Sequence, residues 1–382
     1  MIHPHKVLQT SSALVAVPTG IGFPKGTIGI YEFLTKSFAY VSIHSLFWLD
    51  YFREGVSWAT ALADNKNLTT QELWSEIAEL IDCGFISVAD TANWERQSEY
   101  RSNWKWDLSS ALFHFTISDA EFHSEDECSQ ILVDQFAVSG GPAKFIIHQG
   151  ETVALPKLSE GEAVDLLRLM CKRRTNRGNG QHHITRAELG ACLFAGFGIV
   201  GEVETLSGKL PLKLTPSGGA RNPFDAYVLV NAGDELESGI FHYDAYNHTL
   251  QRKKLPVPQT QSHFFANQAW TEGKSAIIFL VANFERLMWK YPDPNAYRVM
   301  LIEAGHIGQN ILLAATRLGL TACPTAALGH GAVCGALGLV GITQQPVYAL
   351  VLDKPGPYPD RFEANSLFLS LLESAPQLVA GL

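Results

Sequence analysis

Apolar residues recur at helical spacing through the amino-terminal third of the chain. Residues 42–64 show this spacing, and a second helix is predicted from a single apolar face formed by Leu73, Ile77, Leu80 and Ile81. Thr70 stands three residues before Leu73 and two before Glu72, so the two polar residues form only an approximate capping box. Gly84 is expected to end the helix, and the following "FISVA" predicts a short strand.

Two helices followed by a strand are typical of a winged-helix-like module, which we assign to residues 1–100. Residues 101–157 carry mixed signals and are interpreted as a connecting region. Beyond them, a helix is predicted over 158–175, with Ser159 as its N-cap and Glu160 and Glu162 in its first turn.

The carboxy-terminal half alternates helices with mostly apolar strands. A second helix in "ITRAELGACLFAGFGIV" precedes a hairpin in "GIFHYDAYNHTLQRKKL", and "KSAIIFLVANF" and "QPVYALVLDKP" predict buried strands. The long helix predicted in "AYRVMLIEAGHIGQNILLAATRLGL" is closed by Gly319. This order predicts an α+β catalytic domain over residues 158–382.

Composition excludes several classes of protein. The 382 residues carry a net charge of −9 with no long Lys/Arg run, which argues against a nucleic-acid binder. Six scattered cysteines without a CxxC favour reduced thiols over a metal site. The most apolar tract, "LGHGAVCGALGLVGI", is too short and Gly-rich for a membrane span, and the amino terminus lacks a signal-peptide pattern. We therefore expect a cytoplasmic protein.

Three motifs offer candidate chemistry, and each has a structural alternative. The cations of "CKRRTNRGNG" suit either a solvated helix end or a phosphate site. The glycines of "PSGGARNP" suit either a tight turn or close backbone approach to a planar ligand. In "EAGHIGQN", the small residues suggest helix packing, while Gln309 and Asn310 require partners in a cofactor or a subunit interface.

The stretch "MWKYPDPNAYR" places Lys290 directly beside Tyr291, ahead of Pro292 and Pro294. Adjacent residues inside a helix point to different faces. Pro292 disfavours a helical conformation for Tyr291, so the amine and the phenol can converge where the helix ends. The alternative is an incidental lysine at a helix carboxy terminus.

The order of these motifs resembles the FMN-dependent nitroreductase superfamily. The sequence carries the arginine motif, "PSGGARNP", "ANQAW", "KY…YR" and "EAGHIGQN…LAATRLGL" in that order, over residues 158 to about 355. It is most similar to the SagB-type dehydrogenases, which oxidise thiazolines and oxazolines to azoles in ribosomally made, modified peptides. The resemblance implies a nitroreductase-like fold with a central, mostly antiparallel sheet flanked by helices, and FMN as cofactor.

The resemblance also implies roles for individual residues. The FMN phosphate and ribityl chain would be held by Arg173, Thr175 and Arg177. The ribityl and isoalloxazine would lie along Pro216, Ser217, Gly218, Gly219 and Asn222. Asn267 or Gln268 would reach the pyrimidine edge of the flavin, "PTAA" with Ala326 and Ala327 would approach flavin N5, and Lys354 or Arg361 would supply a late phosphate contact.

Family members are homodimers with sites built from both chains, which makes Gln309 and Asn310 candidates for cross-subunit contacts. Lys290 and Tyr291 match the acid–base pair of azoline oxidation. A phenol with a pKa of roughly 10 needs a nearby ammonium to act as a base at neutral pH. Two departures stand out: the spacing from this pair to the following "YR" is one residue longer than usual, and Thr175 replaces the usual serine.

These features lead to three hypotheses of function. The first is an azoline dehydrogenase that acts with a cyclodehydratase on a peptide whose leader is bound by the amino-terminal domain. The second is an NAD(P)H-dependent nitro or quinone reductase, and the third is a catalytically idle partner-binding subunit. Oxidation of another peptide or small-molecule bond by the same flavin chemistry is a variant of the first hypothesis.

Overall fold

The computed structural model describes residues 3–17, 26–119, 124, 126–127, 130–131, 133–134, 137, 164–178, 180, 183–205, 208–231, 236–291 and 293–356. The chain forms two compact units. The amino-terminal unit comprises Met1–Ser118, Phe284–Arg298 and Val340–Gln344, and the carboxy-terminal unit comprises Asp119–Asn283, Val299–Leu339 and Gln345–Leu382. The predicted domain limits at 100 and 158 stay a prediction. The segment 284–298, which contains Lys290 and Tyr291, belongs to the amino-terminal unit.

Two small sheets and five helices are described within residues 3–119. In chain order the elements are β1 (Val7–Thr10), β2 (Leu14–Val17), β3 (Thr27–Glu32), β4 (Ser37–Ser42), α1 (Ile43–Tyr51), β5 (Val56–Ser57), α2 (Trp58–Asp64), α3 (Thr70–Asp82), β6 (Ile86–Val88), α4 (Ala92–Asn103) and α5 (Leu108–Ile117). One sheet has the order β5-β1-β6 and the other β2-β3-β4. The two sheets and the helices α1, α2 and α3 share one hydrophobic core, which includes Trp48, Phe52, Leu73, Ile77 and Phe85.

The helical predictions for this region were correct in type and partly wrong in extent. The single helix expected over 42–64 is interrupted: α1 ends at Tyr51, with Phe52 as its C-cap, and β5 precedes α2. The cap of α3 is Thr69 rather than Thr70, because Thr69 has the three-residue spacing to Glu72 that a complete capping box requires. The buried face of α3, the turn at Gly84 (φ +75°) and the strand after it are confirmed.

The remaining elements follow in chain order. They are α6 (Val164–Lys172), α7 (Arg186–Phe197), β7 (Ile199–Thr205), β8 (Gly208–Lys213), β9 (Phe224–Val230), β10 (Gly239–Asp244), β11 (Thr249–Arg252), β12 (Ala276–Asn283), α8 (Phe284–Met288), α9 (Asn295–Arg317), β13 (Thr321–Thr325), α10 (His330–Leu337) and β14 (Gln344–Asp353). The six-stranded sheet has the order β11-β10-β9-β12-β14-β13, and β7 pairs with β8 in a separate hairpin.

This architecture confirms the predicted α+β class and the mostly antiparallel central sheet. The pairs β10–β11, β9–β10, β9–β12 and β13–β14 are antiparallel. Seven of the eight residues of β12 are buried, as expected for an apolar run without polar alternation. The predicted hairpin is β10–β11, and Gly319 (φ +70°) follows the end of α9. The predicted cap Ser159, with Glu160 and Glu162, lies outside the described residues.

None of the described helices combines the length and the apolar character needed to cross a membrane.

Candidate functional site

The arginine motif forms a loop that is fixed through its backbone. Thr175 makes a parallel bridge with Ala322 of β13. The ammonium of Lys274 donates to the carbonyl oxygens of Arg177 and Gly178, at 2.8 and 2.7 Å. The side chains of Thr175 and Arg177 are exposed, and that of Arg173 is half-buried. The loop therefore presents two guanidinium groups and a hydroxyl from a backbone tied to the sheet.

Lys274 is a site residue that the sequence analysis missed. Its side chain is 2% exposed and lies 3.9 Å from the carboxylate of Asp353, which is 5% exposed. Asp353 also accepts from the Ser275 hydroxyl at 2.6 Å and from the Gly180 amide at 3.2 Å. Burial lowers the pKa of Lys274, and the charge of Asp353 opposes that shift. The only local sign of this role in the sequence was a lysine at the start of an apolar strand. Such a lysine usually marks only the end of the strand.

Contacts of the arginine side chains extend the site across the sheet. The Arg177 guanidinium lies 5.2 Å from the centroid of the Trp270 ring and hydrogen-bonds the Cys323 thiol. Burial raises the pKa of that thiol, and Arg177 partly offsets the effect. The charge of Arg173 acts on the phenol of Tyr348, whose pKa is raised mainly by burial. The arginine loop thus contacts β13 and acts electrostatically on Tyr348 of β14.

Gly308 lets α9 approach the same region. A Cβ atom added there would lie 2.6 Å from the Tyr348 ring, so a larger residue would require the helix or that ring to move. This accounts for one of the small residues in "EAGHIGQN" through packing, which was one of the two predicted interpretations. It also places α9 beside the phenol on which the Arg173 charge acts.

The turn in "PSGGARNP" is held by its own side chains. Gly219, Ala220 and Asn222 have φ angles of +58°, +53° and +46°. The Asn222 amide nitrogen of the backbone donates to the Ser217 hydroxyl oxygen at 2.9 Å, and its side-chain amide donates to the carbonyls of Pro211 and Ala220. Asn222 therefore shapes the turn, and its predicted flavin contact stays a prediction.

Glu303 is a second residue that the sequence analysis missed. It lies on α9 and is 4% exposed. Its carboxyl group accepts hydrogen bonds from the Ser217 hydroxyl and the Gly218 amide, while its Oε2 atom has no partner among the described residues. Burial raises the pKa of Glu303 to about 7, against the effects of these hydrogen bonds and of Lys213. Helical spacing could have found it, because Met300 and Ile307 lie on the same buried face.

Asn267 and Gln268 are distinguished by their surroundings. The side-chain oxygen of Gln268 accepts from the indole N–H of Trp270 at 2.8 Å. The side chain of Asn267 is exposed, on a backbone with φ +61° that follows Ala266 at φ +50°. Two consecutive left-handed residues without glycine indicate a turn whose shape is imposed by its surroundings. Asn267 is thus the better placed of the two for contact with a ligand.

The other predicted contacts differ in how far they are already engaged. Ala326 is exposed, whereas the Ala327 amide donates to the Thr325 hydroxyl at 3.1 Å.

Asn310 donates to the Ala195 carbonyl of α7 at 3.2 Å, while Gln309 is exposed. Lys354 pairs with Glu188, the capping-box residue of α7. Arg361 lies outside the described residues.

A cavity of about 720 Å³ lies elsewhere in the carboxy-terminal unit. It is bounded by Gly190 and Leu193 of α7 and by Tyr243, His248 and Leu250 of the β10–β11 hairpin. Its lining contains none of the predicted site residues. The candidate site is therefore identified by its donors and charges and not by the size of a cavity.

Lys290 and Tyr291 follow the end of α8 in the amino-terminal unit. The backbone amides of both residues donate to the Leu287 carbonyl, at 3.1 and 2.9 Å. The Lys290 ammonium lies 5.3 Å from the centroid of the Tyr291 ring. The Tyr291 carbonyl accepts from the indole N–H of Trp106 at 2.9 Å. The two side chains thus lie together at a helix end. Pro292 lies outside the described residues.

Comparison with known proteins identifies the family. The family model described as "Nitroreductase family" matches residues 171–352. The protein named "Putative nitroreductase MJ1384", from Methanocaldococcus jannaschii, is 31% identical over 175 residues, which are 45% of this chain and 82% of that protein. The chain belongs to the nitroreductase family. This membership supports FMN, the cofactor that the resemblance implied.

A second relative of this nitroreductase-family chain is the trifolitoxin-processing protein TfxB of Rhizobium leguminosarum bv. trifolii. It is 33% identical over 149 residues, which are 37% of this chain and 39% of TfxB. The chain therefore matches well under half of the length of that relative. A solved structure described as "a putative nitroreductase in complex with fmn", from Desulfovibrio desulfuricans, covers 55% of this chain and 96% of its own, at 18% identity and a TM-score of 0.37.

Proposed function

We propose that this nitroreductase-family chain is an FMN-dependent dehydrogenase that oxidises thiazoline or oxazoline rings to azoles in a ribosomally made peptide. The observation that carries the proposal is the Lys290 ammonium over the Tyr291 ring, because these two residues match the pair to which the resemblance assigns the acid–base role in azoline oxidation. Similarity to a protein that processes trifolitoxin supports a peptide substrate.

The donor set of the carboxy-terminal unit fits FMN. Arg173 and Arg177 offer guanidinium forks for a phosphate dianion, and Thr175 offers a hydroxyl beside them. Gly218 and Gly219 leave the turn open to close approach by a ring or a sugar chain. The buried Glu303 Oε2 has no partner among the described residues. A buried polar atom beside this turn is left without a partner in this way when its partner is a ligand.

When bound, FMN would supply a hydride acceptor. The protein's task is then to take a proton from the ring carbon of the substrate. We propose that this proton is accepted by the phenol oxygen of Tyr291, which acts as the phenolate. The cationic Lys290 stabilises the electron-rich ring over which it lies. Lys274 and Asp353 hold the backbone of the loop formed by the arginine motif, from which Arg173 and Arg177 would bind the phosphate of FMN.

The amino-terminal unit is assigned the recognition of the leader peptide. Large apolar side chains are exposed on it: Phe38 and Tyr40 on β4, and Ile43 and Phe47 on α1. Among the described strands, β4 pairs only with β3, so one side of it can accept an added peptide strand. A cyclodehydratase would supply the azoline, and a second copy of the chain would complete the site, with Gln309 among the cross-subunit contacts.

A second candidate function follows from MJ1384 and its name. An NAD(P)H-dependent nitro or quinone reductase would use the same cofactor donors and would have no need of Lys290 or Tyr291. Oxidation of another peptide or small-molecule bond would retain the pair. Substrate turnover therefore separates these functions, and the presence of flavin does not.

The test uses purified full-length protein and a precursor peptide already converted to azolines by a cyclodehydratase. The proposal expects a yellow protein with bound FMN and a mass loss of two hydrogen atoms per ring oxidised. Rapid NADPH-driven reduction of nitroarenes without azole formation would favour the reductase. A colourless protein that takes up no FMN would overturn both enzymatic functions and favour a partner-binding subunit.

A further inference from the structure

The segment 284–298 contacts the rest of the amino-terminal unit at three points along its length. The Lys105 amide meets the Met288 sulfur at 3.3 Å, and the Trp106 indole N–H donates to the Tyr291 carbonyl at 2.9 Å. At the far end, Nδ1 of His114 hydrogen-bonds the Tyr297 hydroxyl at 2.5 Å. The one-residue-longer loop between Tyr291 and Tyr297 is therefore anchored on both sides.

The Trp106 contact satisfies the carbonyl of Tyr291, which directly precedes a proline. Carbonyls after the last turn of a helix have no partner within the helix, and Tyr291 follows the end of α8. The sequence next offers Pro292 and Pro294, which have no N–H. Trp106 supplies the missing donor from a side chain that is only 4% exposed.

The indole is itself fixed by aromatic packing. Its ring meets the Tyr297 ring edge to face, with centroids 5.7 Å apart, and lies 6.1 Å from the Phe284 ring. Both partners belong to the same segment, so the indole contacts its beginning and its end as well as the Tyr291 carbonyl. A ring packed on two sides has little rotational freedom, and its N–H direction is set in advance.

We propose that Trp106 is a positioning residue for the Lys290–Tyr291 pair, acting through its indole N–H on the Tyr291 backbone. The inference rests on the proposed function for the catalytic consequence, but the anchoring itself does not. It adds a residue outside the segment 284–298 to the part that the amino-terminal unit plays in the chemistry. The residue that aims the base is supplied by the unit assigned to recognise the leader.

The chain offers a matched control in Trp104. Trp104 is also buried, at 7% exposure, and stacks in the same aromatic cluster, with its ring centroid 5.6 Å from that of Trp106. Its indole nitrogen has no hydrogen-bond partner among the described residues. Trp104→Phe and Trp106→Phe therefore remove similar volume, but only the second removes a donor that is in use.

The experiment measures kcat and KM for azoline oxidation, FMN content, and amide hydrogen exchange of the peptide covering residues 289–298. For Trp106→Phe we expect kcat to fall about tenfold with KM and FMN content unchanged. Exchange in that peptide should accelerate about tenfold. For Trp104→Phe, kcat and the exchange rate should stay within about twofold of the wild-type values. The Trp104 indole N–H has no partner among the described residues, so no hydrogen bond to the segment is lost. If the phenylalanine variant fails to fold, Trp106 can be replaced by benzothienylalanine, which keeps the shape of the side chain and lacks the N–H. The same changes in kcat and in amide exchange are then expected.

Unchanged kcat and exchange in the benzothienylalanine variant would overturn the proposal, as would equal losses in the Trp104 and Trp106 variants. A wild-type protein with no azoline activity would overturn the proposed function alone. The exchange measurement would still decide whether Trp106 anchors the segment.

Discussion

The Lys290 ammonium lies over the face of the Tyr291 ring, 5.3 Å from its centroid. A cation in this position is attracted to the ring itself, by about 0.5–1 kcal/mol at an exposed site. The attraction does not depend on the hydroxyl group. The geometry therefore allows the contribution of the phenol to be separated from that of the ring.

Tyr291→Phe should keep the ring face and lose the proton acceptor. We expect azoline oxidation to fall by at least about 100-fold, within the range for loss of an acid–base group, with FMN content unchanged. Lys290→Ala should show a similar loss. Mass spectrometry of the product and the flavin absorbance would measure both effects. The exposed Lys254→Ala is the control, and full activity in Tyr291→Phe would remove the phenol from the mechanism.

Arg173→Ala should weaken FMN retention. Loss of a charge-assisted phosphate contact costs about 1.5–3 kcal/mol, which corresponds to roughly a 10- to 100-fold rise in the dissociation constant. Quenching of flavin fluorescence during titration of the apoprotein would measure it. Arg317→Ala changes an exposed arginine in the last turn of α9 and should leave FMN binding unaltered. Equal affinities for the two variants would argue that the arginine motif is only a helix terminus.

Lys274→Met should destabilise the carboxy-terminal unit. The substitution removes the donor to two loop carbonyls and leaves Asp353 buried without its counter-charge. Breaking a buried pair in this way typically costs about 3–5 kcal/mol. Urea unfolding would measure the loss. The double variant Lys274→Met/Asp353→Leu should recover part of it, and a double variant less stable than the sum of the single changes would contradict the pairing.

Phe38→Ser and Tyr40→Ser should weaken binding of the precursor peptide. The two rings lie 5.0 Å apart on an exposed face of β4, and their loss removes apolar area from the proposed docking surface. We expect about a tenfold weaker interaction for each in fluorescence polarisation, the order of effect of losing one interface aromatic. Tyr246→Ser, an exposed aromatic in the carboxy-terminal unit, is the control. Unchanged binding in both β4 variants would place leader recognition elsewhere.

The sequence could predict those parts of the fold that depend on local pattern. The buried strand β12 is an unbroken apolar run, and the face of α3 repeats at helical spacing. The cap of α3 was predicted one residue too late, at Thr70 instead of Thr69. The two adjacent threonines can both serve as a cap, and only the spacing to Glu72 decides between them.

The parts that the sequence could not predict depend on long-range contacts. Trp106 meets Tyr291 across 185 positions, and Lys274 meets Arg177 across 97. No periodicity encodes such pairs, because each partner looks ordinary in its own segment. The same holds for the assignment of residues 284–298 to the amino-terminal unit, since the chain is continuous there with the neighbouring strand and helix.

Glu303, beside the turn proposed to contact FMN, makes the stability of the folded protein depend on pH. Burial raises its pKa from the ordinary 4.5 to about 7, so the folded protein binds this proton more tightly than the unfolded chain does. The stability that results is complete below about pH 4.5 and is lost as the pH rises through about 7. Ionisation at higher pH leaves a charge in a site where Oε2 has no partner among the described residues.

Glu303→Gln should remove this dependence, because the amide stays neutral and still offers an acceptor to the Ser217 hydroxyl or the Gly218 amide. Between pH 5 and pH 8, the free energy of unfolding of the variant should rise relative to the wild type by about 2–3 kcal/mol. Urea unfolding of the apoprotein at several pH values would measure it, with the exposed Glu202→Gln as control. Parallel pH profiles for wild type and Glu303→Gln would show that the carboxyl group does not titrate in this range, and that its hydrogen bonds to the turn hold it ionised.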